Sequence, residues 1–286
     1  MSYATIISTA ALDQHRLADW VVVDCRFDLK NSDWGRSEYR QAHIPGAIYA
    51  SLNDDLSDLT AGTGGRHPIP SIESLAATLG RLGIGTSTQV VAYDQDAGSY
   101  ASRLWWSLRY LGHDAVAVLD GGWAKWQREQ RPTAAGDEYR PAAIFTARPR
   151  PRLRVAVDDV AAIVEHGGAL LIDARAAERF EGREETIDKV AGHIPGAGNH
   201  FFKLNLADDG TMLPVEQLRA QYTAILDGRT PTDAVMYCGS GVTACHNLLA
   251  MEHAGLSGTP LYPGSWSEWS SDRTRPIETG APRRRP

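Results

Sequence analysis

The chain contains two copies of one pattern. Asp24-Cys25-Arg26 returns as Asp173-Ala174-Arg175 after 149 residues, and His43-Ile44-Pro45-Gly46-Ala47 returns as His193-Ile194-Pro195-Gly196-Ala197 after 150. Tyr93-Asp94 is matched by Tyr237-Cys238 at a spacing of 144, and Gly122-Trp123-Ala124-Lys125-Trp126 by Ser265-Trp266-Ser267-Glu268-Trp269 at 143. Four motifs in one order, each displaced by about half of the 286-residue length, identify a tandem duplication of a domain. Solenoid units repeat far more closely, at roughly 20–50 residues.

Both copies must build the same core, and their apolar patterns agree. Val21-Val22-Val23 precedes Asp24 as Leu170-Leu171-Ile172 precedes Asp173; Val90–Tyr93 is matched by Ala234–Tyr237, and Val116–Leu119 adds a third run to the first copy. Short runs with no polar alternation fit strands of a parallel sheet covered on both faces. Between them, Ile72, Leu75, Ala76, Leu79 and Leu82 recur at helical spacing behind Ser71, a suitable N-cap. Val215, Leu218, Tyr222 and Leu226 repeat that pattern behind Pro214, whose fixed φ suits a helix start. Strands alternating with helices predict an α/β fold, each copy a parallel sheet with helices on both faces. Arg131 to Arg154 holds four prolines and little periodicity. It reads as an ordered linker with the boundary near 140–155, giving domains over 1–140 and 155–286.

Matching core positions say little about chemistry, so the informative sites are those where the copies differ at a strand end, where open parallel sheets place their ligands. Tyr93 leads into Asp94, but Tyr237 leads into Cys238, followed by Gly239-Ser240-Gly241-Val242-Thr243 and an apolar, helix-like segment. A strand–loop–helix turn of this kind aims backbone N–H groups at its centre, and glycines let it curl. A thiolate held there is a nucleophile. Phosphoryl transfer and sulfur transfer both use such a cradle. A cysteine phosphatase needs an arginine six residues after the nucleophile to grip phosphate, and that position is Ala244.

These residues resemble the rhodanese family of sulfurtransferases in its two-domain form, over nearly the whole chain. The likeness rests on the two His-Ile-Pro-Gly-Ala motifs, Gly121-Gly122-Trp123, Asp173-Ala174-Arg175, the Cys238 loop and Gly264–Trp269. The resemblance implies two tandem rhodanese-like domains, the first non-catalytic and the second catalytic. The uncharged loop Cys238–Thr243 is similar to that of the 3-mercaptopyruvate branch; thiosulfate enzymes of the family often carry charge in it. The implied reaction is sulfur transfer from 3-mercaptopyruvate through a Cys238 persulfide, with the amides of Gly239, Gly241, Val242 and Thr243 stabilising the sulfur. The implied acceptor is thioredoxin, another small thiol or cyanide. A thiosulfate:cyanide enzyme is the alternative, and a non-catalytic binding module the remote one. The resemblance also implies donor binding by Arg179 and a Ser240–His43–Asp33 relay. The branch's second arginine falls at Asp188 here, a departure that leaves Arg183 or Lys189 as substitutes.

The rest of the sequence excludes competing classes. A net charge of −6, with basic clustering only at Arg283–Arg285, argues against a nucleic-acid surface. No apolar run approaches the ~20 residues of a bilayer span. Three cysteines cannot build a disulfide framework, and Met1 to Leu12 lacks a signal-peptide pattern, so a reducing cytoplasm is expected. Cys25 and Cys245 read as core. His246 lacks the spaced partners of a zinc site and Gly62-Thr63-Gly64-Gly65 is not followed by the Lys-Ser/Thr of a P-loop, so no metal or other cofactor is expected.

Overall fold

Eight short strands form among the described residues, five of them on the apolar runs: β1 Ile6–Ile7, β2 Val21–Asp24, β3 Ile48–Tyr49, β4 Val90–Tyr93, β5 Val116–Leu119, β6 Leu170–Asp173, β7 Gly198–Asn199 and β8 Ala234–Tyr237. They were located in a computed structural model that describes residues 2–15 and 19–282. The Arg283–Arg285 tail lies outside the described residues. All pairings are parallel, in the orders β1-β5-β4-β2-β3 and β7-β6-β8. The second sheet is completed by bridges too short to count as strands. Leu261 pairs with Met236 of β8 and with Arg154 beyond it, so 260–262 stands where β5 stands in the first copy and 153–155 where β1 stands.

Val22 and Val91 enter one core cluster with Tyr93, Leu119, Trp123 and Trp126. Val21, Val23, Val90 and Ala92, of opposite parity, are equally buried. Both sheet faces are therefore covered, as the absence of alternation requires. The second cluster substitutes position by position: Leu171, Val235, Tyr237, Tyr262, Trp266 and Trp269. Each such side chain contributes on the order of 1.5–3 kcal/mol on burial, so the shared apolar pattern accounts for a shared fold. The expected helices form at Ile72–Arg81, where the Ser71 hydroxyl accepts the Ser74 N–H, and at Val215–Leu226 behind Pro214.

The chain divides into two units. Residues 1–58, 69–150 and 207–212 make the first; 59–68, 151–206 and 213–286 make the second. The linker to Arg150 is ordered on the first unit, Ala143 N–H donating to Gly80 O and Arg148 N–H to Leu111 O. A contiguous split at 140–155 does not capture the two short segments. Leu59–Pro68 follows β3 in sequence but belongs to the second unit, and Ala207–Met212 follows β7 but belongs to the first.

A buried ion pair closes the carboxyl end of β2 in the first unit and of β6 in the second. Asp24 accepts from Arg26 Nε and Nη2 at 2.9 and 2.6 Å, and Arg26 also donates to Ala42 O at 2.7 Å. Asp173 and Arg175 repeat this at 3.0 and 2.7 Å, with Gly192 O accepting at 2.7 Å. Each guanidinium lies over a tryptophan, Trp123 at 4.7 Å and Trp266 at 5.1 Å. Removing one partner leaves the other charge buried and unpaired, which costs about 3–5 kcal/mol. Arg26→Ala is expected to lower the unfolding free energy of the first unit by that amount, read from the urea midpoint.

Candidate active site

The strand-end loops of the two units start at equivalent positions but differ in length, with six residues between Asp94 and helix Ala101–Tyr110 and five between Cys238 and helix Ala244–His253, and they differ in what fills them. In the first, the Asp94 carboxylate turns back into its own loop and accepts the N–H groups of Asp96 and Gly98 at 2.9 Å and of Tyr100 and Ala101 at 2.7 Å. Burial pushes this carboxyl upward, while the amides of Ala101, Gly98 and Tyr100 pull it down. The loop is thus an anion nest closed by an internal anion. Ala97, at its turn, has φ of 52°.

In the second unit Cys238 takes the place of Asp94. The loop turns at Gly241, φ 71°, where a Cβ would lie 2.3 Å from Pro263 O. Helix Ala244–His253 follows directly from Thr243, whose side chain makes no capping bond. The Trp266 N–H donates to Cys238 O at 3.0 Å as the Trp123 N–H donates to Asp94 O at 2.9 Å. Cys238 is buried, and its N–H donates to the Ser265 hydroxyl at 3.1 Å, which in turn donates to Tyr262 O at 2.9 Å. Ser265 has φ of 55°, the same as Gly122 at the equivalent position. The second unit therefore accepts a strained serine where the first uses glycine, and gains a hydroxyl behind the cysteine.

Ser240 Oγ lies 2.8 Å from Nδ1 of His67, itself buried. The histidine beside Ser240 is thus His67, not His43. His43 is held by its own motif: Nδ1 bonds Tyr39 O at 2.7 Å, the ring stacks on Tyr39 at 4.3 Å, and Nε2 lies 3.7 Å from Glu138. His193 repeats this against Phe180 and Glu278, which marks both histidines as turn-holding groups. Asp33 stands exposed at the head of helix Trp34–Gln41, its carbonyl accepting the Ser37 N–H.

His67 arrives on the Leu59–Pro68 segment. Gly65 has φ of 82°, and a Cβ there would lie 2.5 Å from both Gly264 O and Ser267 Oγ, so only glycine lets the segment seat against that turn. The next residue, Arg66, donates its N–H to Ser267 Oγ at 3.0 Å, and Ser267 N–H donates to Gly239 O at 2.9 Å.

Arg179 borders the same loop. It grips Glu185 through Nε and Nη2 at 2.9–3.1 Å and reaches Asp188 at 3.0 Å. Glu185 also accepts from Arg175 at 3.3 Å and from the N–H groups of Ile187 and Asp188. Burial drives its carboxyl up, but these amides and Arg179 outweigh it and hold it below the usual range. Asp188 binds Arg66 Nη1 at 2.6 Å. Arg183 instead pairs with Glu181 and Glu178.

The other cysteines are of a different kind. Burial, then the charges of Asp24, Asp94 and Asp55, push the Cys25 thiol well above its usual range. The Cys245 thiol is buried in the helix and donates to Gly241 O at 3.3 Å. His246 lies in a buried polar cluster with Asn205, Asn247 and His200.

Sequence and fold agree with known proteins. Residues 8–129 and 156–272 each match the rhodanese-like domain family. The chain is 45% identical over 264 residues to a Pseudomonas aeruginosa protein named "Probable 3-mercaptopyruvate sulfurtransferase", covering 92% of this chain and 93% of that one. It is 39% identical to the human 3-mercaptopyruvate sulfurtransferase, over 84% and 81% of the two chains. The solved 3-mercaptopyruvate sulfurtransferase from Leishmania major superposes with a TM-score of 0.85 at 32% identity, over 96% of this chain and 76% of that one.

The filled nest gives a direct test. Asp94→Ala would take the acceptor from four N–H groups, of which those of Gly98 and Ala101 are buried and cost about 1–3 kcal/mol each when unsatisfied. Thermal unfolding is expected to show a loss of about 2–6 kcal/mol for Asp94→Ala and a smaller one for Asp94→Asn, which keeps one acceptor oxygen.

Proposed function

The chain belongs to the rhodanese-like family, whose domain it carries twice, and we propose that it is a sulfurtransferase that moves sulfur from 3-mercaptopyruvate, through a persulfide on Cys238, to a thiol such as thioredoxin or a small thiol, or to cyanide. The reading is carried by the position of Cys238: it is buried at the strand end where the first unit holds Asp94, whose carboxylate gathers four backbone N–H groups, and it leads through a glycine turn into helix Ala244–His253. An anion is what such a turn accommodates, and a persulfide anion is the product of sulfur capture.

In the first half-reaction the Cys238 thiolate attacks the donor sulfur. The new S–S bond forms as the donor C–S bond breaks, and its electron pair goes to carbon as the enolate of pyruvate. One proton returns to that carbon, releasing pyruvate and leaving the persulfide anion in the loop. Ser240, paired with His67 at 2.8 Å, is the hydroxyl positioned beside this chemistry. It donates to the developing enolate oxygen and draws on the imidazole behind it. Arg179 binds the donor carboxylate. An acceptor thiolate or cyanide then takes the outer sulfur and regenerates Cys238, a ping-pong sequence. None of the three cysteines forms a disulfide, which suits a reducing compartment, and we assign the reaction to the cytoplasm.

Mass spectrometry after addition of 3-mercaptopyruvate is expected to find one added sulfur atom, mapped to the peptide holding Cys238, and none in Cys238→Ser. Sulfur uptake and turnover by Cys238→Ser would refute the assignment. Ser240→Ala and His67→Ala are each expected to lower kcat/KM for 3-mercaptopyruvate by about a hundredfold, with His43→Gln affecting stability rather than that constant.

A further inference from the structure

We infer that Arg66, held in place by Asp188, is a second guanidinium that binds the donor's carboxylate, and that Asp188 sets the site's preference for a monoanion. This rests on the sulfur-transfer reading above. The two arginines come from distant parts of the chain and meet over one glycine. A Cβ on Gly239 would lie 3.1 Å from Arg66 Nη2 and 3.6 Å from Arg179 Nη2. Gly239 is the residue after the nucleophile, so both cations face the mouth of the Cys238 loop.

Asp188 joins them. Its Oδ1 takes Arg66 Nη1 at 2.6 Å and its Oδ2 takes Arg179 Nη2 at 3.0 Å, while its own side chain is only 6% exposed. Arg66 is further fixed by its backbone bond to Ser267. Its Nε is buried and has no hydrogen-bond partner among the described residues, a donor left over after Asp188 is satisfied. A guanidinium presents five N–H donors in a rigid fork, so one carboxylate neighbour does not exhaust it.

Charge bookkeeping then bears on specificity. Arg66 and Arg179 are balanced by Glu185 and Asp188. Adding a monoanionic keto acid leaves the cluster at about −1, whereas the thiosulfate dianion leaves it at about −2, with no charged side chain in the loop from Cys238 to Thr243 to offset it. Asp188 is therefore a positioning residue with a second effect: it trims the positive field that a dianion needs.

The test uses the full-length protein and two readouts. Arg66→Gln is expected to lower kcat/KM for 3-mercaptopyruvate about tenfold or more, mainly through KM. It should also slow alkylation of Cys238 by anionic iodoacetate relative to neutral iodoacetamide by a similar factor, with Arg66→Lys intermediate in both. Asp188→Asn is expected to shift the ratio of kcat/KM values for 3-mercaptopyruvate and thiosulfate about tenfold toward thiosulfate, a change that mere loosening of the loop would not produce. The alkylation ratio needs no turnover, so it decides the role of Arg66 even if Cys238 takes up no sulfur and the parent reading fails. Arg66→Gln with KM and alkylation ratio both within twofold of wild type, or Asp188→Asn with an unchanged donor ratio, would overturn the inference.

Discussion

The pairing of a buried aspartate with the arginine two residues later is the interaction on which both units are built. Asp24 and Asp173 end β2 and β6, and Arg26 and Arg175 tie those ends to the backbone at Ala42 and Gly192 and to a core tryptophan. Neither charge could be buried alone. With the pair formed, the strand ends are held where the neighbouring strands β4 and β8 release their loops. In the second unit the pair is also the root of a longer chain of alternating charge, in which Arg175 reaches Glu185, Glu185 grips Arg179, and Arg179 shares Asp188 with Arg66. Groups that face the Cys238 loop are thus anchored, link by link, in the sheet core.

The duplication also supplies its own control experiment. Two strand-end turns, entered from equivalent strands and each receiving a tryptophan N–H at its first carbonyl, hold a carboxylate that accepts four amides in one unit and a thiol in the other. Asp94 shows that a turn of this kind accommodates negative charge with no cysteine present.

Much of this was legible in the sequence. The strands are local apolar runs, Ser71 and Pro214 mark helix starts by local chemistry, and Cys238 stands out once it is aligned with Asp94. What escaped is the set of residues whose role is defined by distance in the chain. His67 and Ser240 are 173 positions apart, and no periodicity links them. The resemblance implied His43, but His43 and His193 share one stacked, hydrogen-bonded setting, and the imidazole against Ser240 is that of His67. The change of Gly122 to Ser265 was visible in the alignment of the copies, yet only the bond to the Cys238 amide gives it meaning. The glycine run at 62–65 could only be set aside as a P-loop, because its close approach to the Gly264 turn depends on a partner about 200 residues away.

The assignment of Leu59–Pro68 to the second unit has an evolutionary consequence. The repeat that lacks the cysteine encodes two of the groups at the cysteine's loop, Arg66 and His67. A gene reduced to its second half would keep Cys238 and lose the residues that flank it, Arg66 and His67. The two halves are bound to a common fate by the ten residues of Leu59–Pro68.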